Sequence, residues 1–397
     1  MLLDESLKNK TLKDLAALIA ANKEEIIKQN QLDLKSTARM DPTLYDRLRV
    51  DAKKVEGMVA AVEEVIALED PQGKVISEYT HPNGILVQNK IVPFGKILII
   101  YESRPDVTIE AAISAFKAGN KIVLKGGKEA VNTNLYLVSL WHQALEQNGI
   151  DKEVVEYLNI SREETQKLLR ENTHKLDLII PRGGEGLINY IKTNTAVPLI
   201  ISGRGNNFIY IHKDADFDMA IDLVLNGKSR LSVCNAIDKV LIDKGIKDLD
   251  KKVSRLVDAL FEKQLQVYGD GEYFSWFRGV KAMEHQAMYA EEFLSEKILL
   301  GLVENMPTAI ETINAYSGGH SAVIVTEDAT AALAFQHEVD CAAVYHNASS
   351  RFTDGGQFGF GAEIAISTQK LHFRGPVGLG QLVTNKWFIQ GQGQIRN

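Results

Sequence analysis

The feature that most limits the fold of this chain is an alternation. Short apolar runs recur, each closed by a polar or glycine-containing loop and followed by a stretch of helical length. Lys96 to Tyr101 leads into a helix that ends near Gly119, and Lys121 to Leu124 into one that ends near Gly149. Leu176 to Ile180 leads into one that begins near Gly183. Parallel strands need a crossover connection, usually a helix, so the rhythm predicts a parallel sheet covered by helices on both faces. A second series follows Cys234: Lys239 to Ile242, Lys297 to Val303, Ser321 to Val325 and Ala342 to Tyr345. At 397 residues the chain is too long for one simple core, so two α/β domains are expected. Leu7, Leu12, Leu15, Ile19 and Ile26, and then Val55, Met58, Val59, Val62 and Val65, mark two amphipathic helices ahead of them.

Two segments stand outside the alternation. Gly73 to Val92 carries a turn at His81-Pro82-Asn83-Gly84 between strand-like runs, which predicts a β-hairpin. Leu382 to Ile395 is strand-like and contains Trp387, Phe388 and Ile389. The expected division is therefore one α/β domain over 1–72 and 93–227 and a second over 228–381. The hairpin at 73–92 and the tail at 382–397 form a separate element. Its open strand edges need a cover, and a second copy of the chain is the simplest one, giving a dimer or tetramer.

Composition removes several function classes. A net charge of −7 argues against a nucleic-acid partner. Two cysteines cannot build a disulfide framework, which makes a reducing cytoplasm the default. Met1 to Asn30 has no uninterrupted apolar region of the signal-peptide kind, and no segment is long and apolar enough to cross a membrane, so no membrane partner is expected. There is no Gly-Lys-Ser/Thr phosphate loop for ATP and no His/Cys/Asp spacing that suggests a metal.

The chemistry is expected in loops. Cys234 lies in the small-residue stretch Ser232-Val233-Cys234-Asn235-Ala236, between a helical stretch from Ala220 to Lys228 and an apolar run. A thiol so placed serves either as a packing residue or, with its pKa lowered, as a nucleophile. Cys341 leads directly into a strand-like run and reads as packing. Open parallel sheets bind ligands at the carboxyl ends of their strands. Lys125-Gly126-Gly127-Lys128 ends one strand, where a lysine can reach ribose hydroxyls and the glycines allow close approach. Arg182-Gly183-Gly184 ends another and opens a helix whose N–H groups suit a pyrophosphate. Tight-turn glycines without a ligand would read the same way.

Val92-Pro93-Phe94-Gly95, Tyr101-Glu102-Ser103-Arg104-Pro105-Asp106-Val107, Pro181-Arg182-Gly183-Gly184, Ser232-Val233-Cys234-Asn235 and the run from Asn347 to Gly356 occur in this order along the chain, followed by Ser367 to His372 and Arg374-Gly375-Pro376. In these motifs the chain resembles the glutamate-5-semialdehyde dehydrogenases (gamma-glutamyl phosphate reductases) of the aldehyde dehydrogenase superfamily. The resemblance implies that superfamily's α/β fold, in which the first domain is a Rossmann-type nucleotide-binding domain, the second is catalytic, and the hairpin with the C-terminal strand is an oligomerisation element. It also implies reduction of L-glutamyl 5-phosphate by NADPH through a cysteine thioester, in proline synthesis, with a glutamate 5-kinase as the source of the labile acyl phosphate. It makes Cys234 the nucleophile, Ser103 an oxyanion donor and Glu292 the holder of the nicotinamide ribose. Lys128 falls where NAD-specific members often carry glutamate, and a lysine there suits a 2′-phosphate. Arg104, Arg351 and the loop containing Ser349, Ser350, Asp354, Gly355 and Gly356 become the substrate clamp.

The departures from that family are specific. Ile201 stands where thioester-hydrolysing members of the superfamily carry a glutamate base. Asn207-Phe208 replaces a frequent Cys-His, Ala322 replaces an aspartate after His320-Ser321, and Asp270 to Ala290 reads as shortened. Another acylating, CoA-dependent dehydrogenase and a catalytically silent oligomeric relative therefore remain as alternatives.

Overall fold

The computed structural model describes residues 3–37 and 42–396. The chain divides into two compact units. The first comprises Met1–Ile201, Gly359–Ala365 and Pro376–Asn397, and the second Ser202–Phe358 and Ile366–Gly375.

The first unit begins with α1 (Glu5–Ala21), α2 (Lys23–Ser36), α3 (Pro42–Leu48) and α4 (Ala52–Ala67). Asp4 and Asp51 cap α1 and α4 by accepting backbone N–H groups of the first turn. The hairpin follows as β1 (Val75–Thr80) and β2 (Leu86–Pro93), and the C-terminal strand Val383–Gln390 pairs antiparallel with the other edge of β2. No residue of β1 or β2 is buried within the chain.

The nucleotide-type sheet holds β3 (Lys96–Tyr101), β4 (Lys121–Gly126), β5 (Val155–Tyr157) and β6 (Leu178–Arg182) in the order β5-β4-β3-β6, all parallel. The crossovers are α5 (Val107–Lys117), α6 (Val131–Gln147) and α7 (Arg162–Glu171), and α8 (Glu185–Asn194) follows β6. Ser161 and Glu164 form a capping box on α7. Side chains of β3 are buried from Ile97 to Tyr101, as a strand covered on both faces requires.

The second unit is a seven-stranded, all-parallel sheet. Its strands are β7 (Asn207–Ile211), β8 (Ile237–Asp243), β9 (Gln266–Asp270), β10 (Lys281–Ala282), β11 (Lys297–Val303), β12 (Ser321–Val325) and β13 (Ala343–His346). The spatial order is β10-β9-β11-β8-β7-β12-β13. The helices are α9 (Phe217–Gly227), α10 (Leu249–Glu262), α11 (Met306–Tyr316) and α12 (Ala329–Glu338). Alternate residues of β7 and β8 feed two apolar cores, Ile209 and Val240 into one and Phe208 and Leu241 into the other.

The boundary expected at 227/228 lies at 201/202. Asn207–Ile211 is a strand held between β8 and β12, so it belongs to the second sheet, and α9 packs on the same core. The hairpin and C-terminal strand fall within the first unit. Among the described residues no helix is long and apolar enough to cross a membrane.

Candidate active site

In the second unit the amino ends of β7, β8 and β12 converge on the cysteine loop. Cys234 is partly exposed, in the loop between α9 and β8. Its backbone is gripped from several sides. Gly205 packs so closely that a Cβ there would overlap the carbonyl and Cα of Cys234. The Asn207 amide donates to the Cys234 carbonyl at 2.7 Å. Next along the chain, the buried Asn235 donates to the carbonyls of Arg351 (3.2 Å) and Thr353 (3.0 Å), and its own carbonyl accepts from the Ser350 hydroxyl (2.7 Å). The Arg351 guanidinium donates to the Asn235 side-chain oxygen. The loop carrying Ser349 to Gly356 is thereby brought to the cysteine loop.

Much of that loop's polar equipment holds the loop itself. The hydroxyl of Ser349 donates to Asn226 (2.6 Å) and that of Ser350 to Asn235. The Asp354 carboxylate accepts the N–H groups of Gly356 (3.0 Å) and Gln357 (3.3 Å), closing its own turn. Gly355 is buried in that turn and Gly356 exposed. Arg351 also holds the loop, through Asn235, and has a further electrostatic role. Burial lowers its pKa and a second cation, Arg230, adds to the effect, while Cys234 and Asp354 oppose it. Two guanidinium groups and the thiol therefore share one electrostatic neighbourhood. Arg230 was missed in the sequence, where its only signal is its place four residues before the cysteine.

Cys341 is a buried residue whose thiol is pushed up to about 11 by burial, so it stays protonated and inert at neutral pH. Glu292 accepts the N–H of Gly205 at 2.9 Å. The segment behind it is held by β8: Asp238 accepts the N–H of Phe293 (2.7 Å), and the buried Lys239 ammonium bonds the Glu291 carbonyl and lies over the Phe293 ring. Ile201 offers no carboxylate.

In the first unit the glycine loops lie at the carboxyl ends of β4 and β6. Gly126 is needed for space, since a Cβ there would strike the Asn134 amide and Tyr157 hydroxyl, whereas a Cβ on Gly127 would meet only the carboxylate end of the Glu129 side chain. Lys125 is partly buried and bonds the Gly126 carbonyl (2.8 Å), while Lys128 is exposed. Ser103 adopts a left-handed φ of 48°, and both its N–H (2.7 Å) and its hydroxyl (2.9 Å) donate to Glu129. Glu102 accepts the N–H of Gly184 at the start of α8 (3.0 Å), and a Cβ on Gly183 would collide with Glu102. Arg182, at the end of β6, accepts the Glu102 N–H with its carbonyl. Asp33, from α2, caps the start of α6 through the N–H groups of Asn132 (3.0 Å) and Thr133 (2.9 Å) and thus closes that helix end to other anions.

Arg104 forms an ion pair with Asp106 at 2.8 Å and approaches Glu110 at 4.0 Å. Burial works to raise the Asp106 pKa, but Arg104 and Lys54 bring it below its ordinary value. Glu110 goes the other way: burial and then the Asp106 charge raise it to about 7.

A parallel-sheet unit with glycine loops at its strand ends, joined in sequence to a second one carrying a loop cysteine, is the arrangement of the aldehyde dehydrogenase family, and residues 3–273 match that family. Solved structures agree. The chain aligns with the crystal structure of gamma-glutamyl phosphate reductase from Thermotoga maritima at a TM-score of 0.93 and 38% identity, covering 100% of this chain and 95% of that one. An acetylating aldehyde dehydrogenase from Geobacillus thermoglucosidasius shares the fold at a TM-score of 0.71 and 18% identity, with 100% and 94% covered. Gamma-glutamyl phosphate reductase of Lachnospira eligens is 42% identical over 393 residues, 98% of this chain and 94% of that one. That of Halothermothrix orenii is 41% identical over 392 residues, 98% and 93%. The chain belongs to the gamma-glutamyl phosphate reductases, the glutamate-5-semialdehyde dehydrogenases of the aldehyde dehydrogenase family, and is an oxidoreductase.

Proposed function

We propose that this chain reduces L-glutamyl 5-phosphate to L-glutamate 5-semialdehyde with NADPH, releasing phosphate, in proline synthesis in the cytoplasm. The observation that carries the reading is the partly exposed Cys234 on a backbone locked by Gly205, Asn207 and Asn235. A fixed nucleophile beside two arginines suits an acyl phosphate. The Cys234 thiolate attacks the acyl carbon, the C–O bond to phosphate breaks, and phosphate leaves as a dianion that Arg351 and Arg230 can pair. The enzyme then holds a thioester. NADPH held by the first unit would supply one hydride to that carbonyl. Collapse of the resulting thiohemiacetal breaks the C–S bond, releases the aldehyde and regenerates the thiolate. Negative charge develops on the carbonyl oxygen at both stages. The Cys234 N–H is one donor for it, and Ser103, at the family's second donor position, must exchange Glu129 for the oxyanion to serve as the other. With Ile201 in place of a base, water is not activated against the thioester.

The fit of a dinucleotide to the first unit rests on its glycine cradles. Gly126, Gly127 and Gly183 carry no side chain at the strand ends, so their backbone can be approached closely by phosphate and ribose groups. Lys125 and Lys128 supply positive charge, and Lys128 favours the 2′-phosphate of NADPH. Glu292 supplies a carboxylate for the nicotinamide ribose. The exposed faces of β1, β2 and the C-terminal strand, with Tyr79, Trp387 and Ile389 uncovered, support a homo-oligomer formed through this sheet. A glutamate kinase that supplies the unstable acyl phosphate is the natural second partner.

The test runs the reaction backwards. Glutamate semialdehyde, phosphate and NADP should yield NADPH, and coenzyme A should not replace phosphate. Cys234→Ala should abolish turnover and retain nucleotide binding. NADPH formation with coenzyme A but not phosphate would convert the reading to a CoA-dependent dehydrogenase, and full turnover in Cys234→Ala would remove the thioester.

A further inference from the structure

We infer that Asn207 is a positioning residue for the reaction, holding the Cys234 peptide through a chain of hydrogen bonds that starts at His320 and Ser321. The inference rests on the reading of Cys234 as the nucleophile. Asn207 is the first residue of β7 and is fully buried. Because β7 lies between β8 and β12, its first side chain meets both the loop that enters β8 and the first residue of β12.

The amide is oriented without ambiguity. All its donors lie on one side: the N–H (3.1 Å) and hydroxyl (2.7 Å) of Ser321 both reach the Asn207 side-chain oxygen. All its acceptors lie on the other: the carbonyls of Cys234 (2.7 Å), Ala236 (2.7 Å) and Gly205 (3.1 Å) surround the Asn207 nitrogen. An amide flipped end for end would face carbonyl against oxygen and donor against donor. The single hydrogen of the Ser321 hydroxyl is committed to Asn207, so His320, whose Nδ1 lies 2.9 Å from that hydroxyl, donates to it. Burial brings His320 to about 4, and the ring is neutral. The result is an uncharged relay, His320 to Ser321 to Asn207 to the Cys234 carbonyl, in which each group donates to the next.

Holding the Cys234 carbonyl, while Gly205 packs against the same residue's Cα, restricts ψ at Cys234 and with it the direction of the Cα–Cβ bond that carries the thiol. Asparagine is suited to this place because it combines an acceptor for Ser321 with two N–H donors for the loop. Aspartate has nearly the same shape but presents oxygens to three carbonyls.

The test uses the whole chain with Asn207→Asp and Ser321→Ala. The measurements are kcat and KM in the reverse assay, the rate of iodoacetamide alkylation of Cys234 by peptide mapping, NADPH binding by fluorescence, and melting temperature. Asn207→Asp should lower kcat about tenfold to a hundredfold. It should slow Cys234 alkylation in parallel and leave the Kd for NADPH and the KM for NADP within about twofold. Ser321→Ala keeps the amide and one of its anchors, and should show the same pattern at about threefold to tenfold. A role in stability alone would lower the melting temperature and leave kcat and alkylation of the folded fraction at wild-type values. That outcome in either variant overturns the inference, and Ser321→Ala decides it if Asn207→Asp does not fold. Failure of the nucleophile reading is distinguishable, because it shows as turnover retained in Cys234→Ala whatever happens at position 207.

Discussion

Gly205→Ala is the sharpest single perturbation of the cysteine loop. The φ of Gly205 is outside the left-handed region, so space, not backbone conformation, demands glycine. A new Cβ would overlap the carbonyl oxygen, carbonyl carbon and Cα of Cys234, all backbone atoms that cannot rotate aside. Real Cβ atoms keep 3.0 Å or more from such neighbours. Restoring that spacing moves the cysteine loop by roughly 1 Å, a displacement that costs about 10²-fold in turnover. Overpacking costs about 1–3 kcal/mol, against about 0.4–1 kcal/mol gained by restricting the unfolded chain. A unit of this size loses about 2–4 °C per kcal/mol, so the melting temperature should fall, by at most roughly 10 °C. The assay pairs reverse-reaction kcat with a thermal melt and with alkylation mapping of Cys234. Wild-type turnover together with an unchanged melting temperature would refute the reasoning, since no movement of the loop could then have occurred.

Lys128→Glu should raise the KM for NADPH by about tenfold and leave that for NADH nearly unchanged, because the new charge repels only the 2′-phosphate; equal effects would take Lys128 out of the cofactor site. Arg104→Ala strands the buried Asp106 carboxylate and should lower the melting temperature by several degrees. Arg351→Ala should instead raise the KM for phosphate in the reverse assay about tenfold with little loss of stability, and the opposite pairing would exchange the two roles. Glu110 is raised above its unfolded value, so its favourable contribution is complete below about pH 4.5 and is lost as pH rises through about 7. Glu110→Gln should therefore match wild type near pH 4 and exceed it at pH 8, by on the order of 1–2 kcal/mol for a side chain that is partly exposed. Urea melts at the two pH values read the difference.

Strands bounded by breakers were legible. Lys96–Tyr101, Lys297–Val303 and Ser321–Val325 are continuous apolar runs and lie where the sequence places them. The strands not found lack that signature. Val155–Tyr157 has three residues with a glutamate at its centre, Gln266–Asp270 opens and closes on polar residues, and Asn207–Ile211 follows a glycine stretch that reads as loop. Missing the last of these displaced the domain boundary, since the first strand of the second sheet was counted with the first unit. The loop setting of Cys234 was visible because helix, small residues and apolar run are adjacent in sequence. The pairs that tie distant segments together were not. Glu129 reaches Ser103 across 26 positions, Glu102 reaches Gly184 across 82, and Ser321 reaches Asn207 across 114. Nothing local marks such pairs. The hydroxyls of Ser349 and Ser350 read as substrate ligands from their motif, and only the fold reveals that they tie the loop down.

The pairing of β2 with the C-terminal strand has a consequence for the making of the protein. Asn89 and Asn385, neighbours across that pairing, are separated by 296 positions, and the whole of the second unit is encoded between them. At a synthesis rate of about 5–20 residues per second, β2 waits roughly 15–60 s on the ribosome for its partner. During that interval the hairpin shows an unpaired edge to everything nearby, while the inserted sheet has its residues and can close. Completion of the nucleotide-type unit is thus timed by the arrival of the last strand, and a chain cut short before Val383 leaves behind a finished insert attached to an unfinished host.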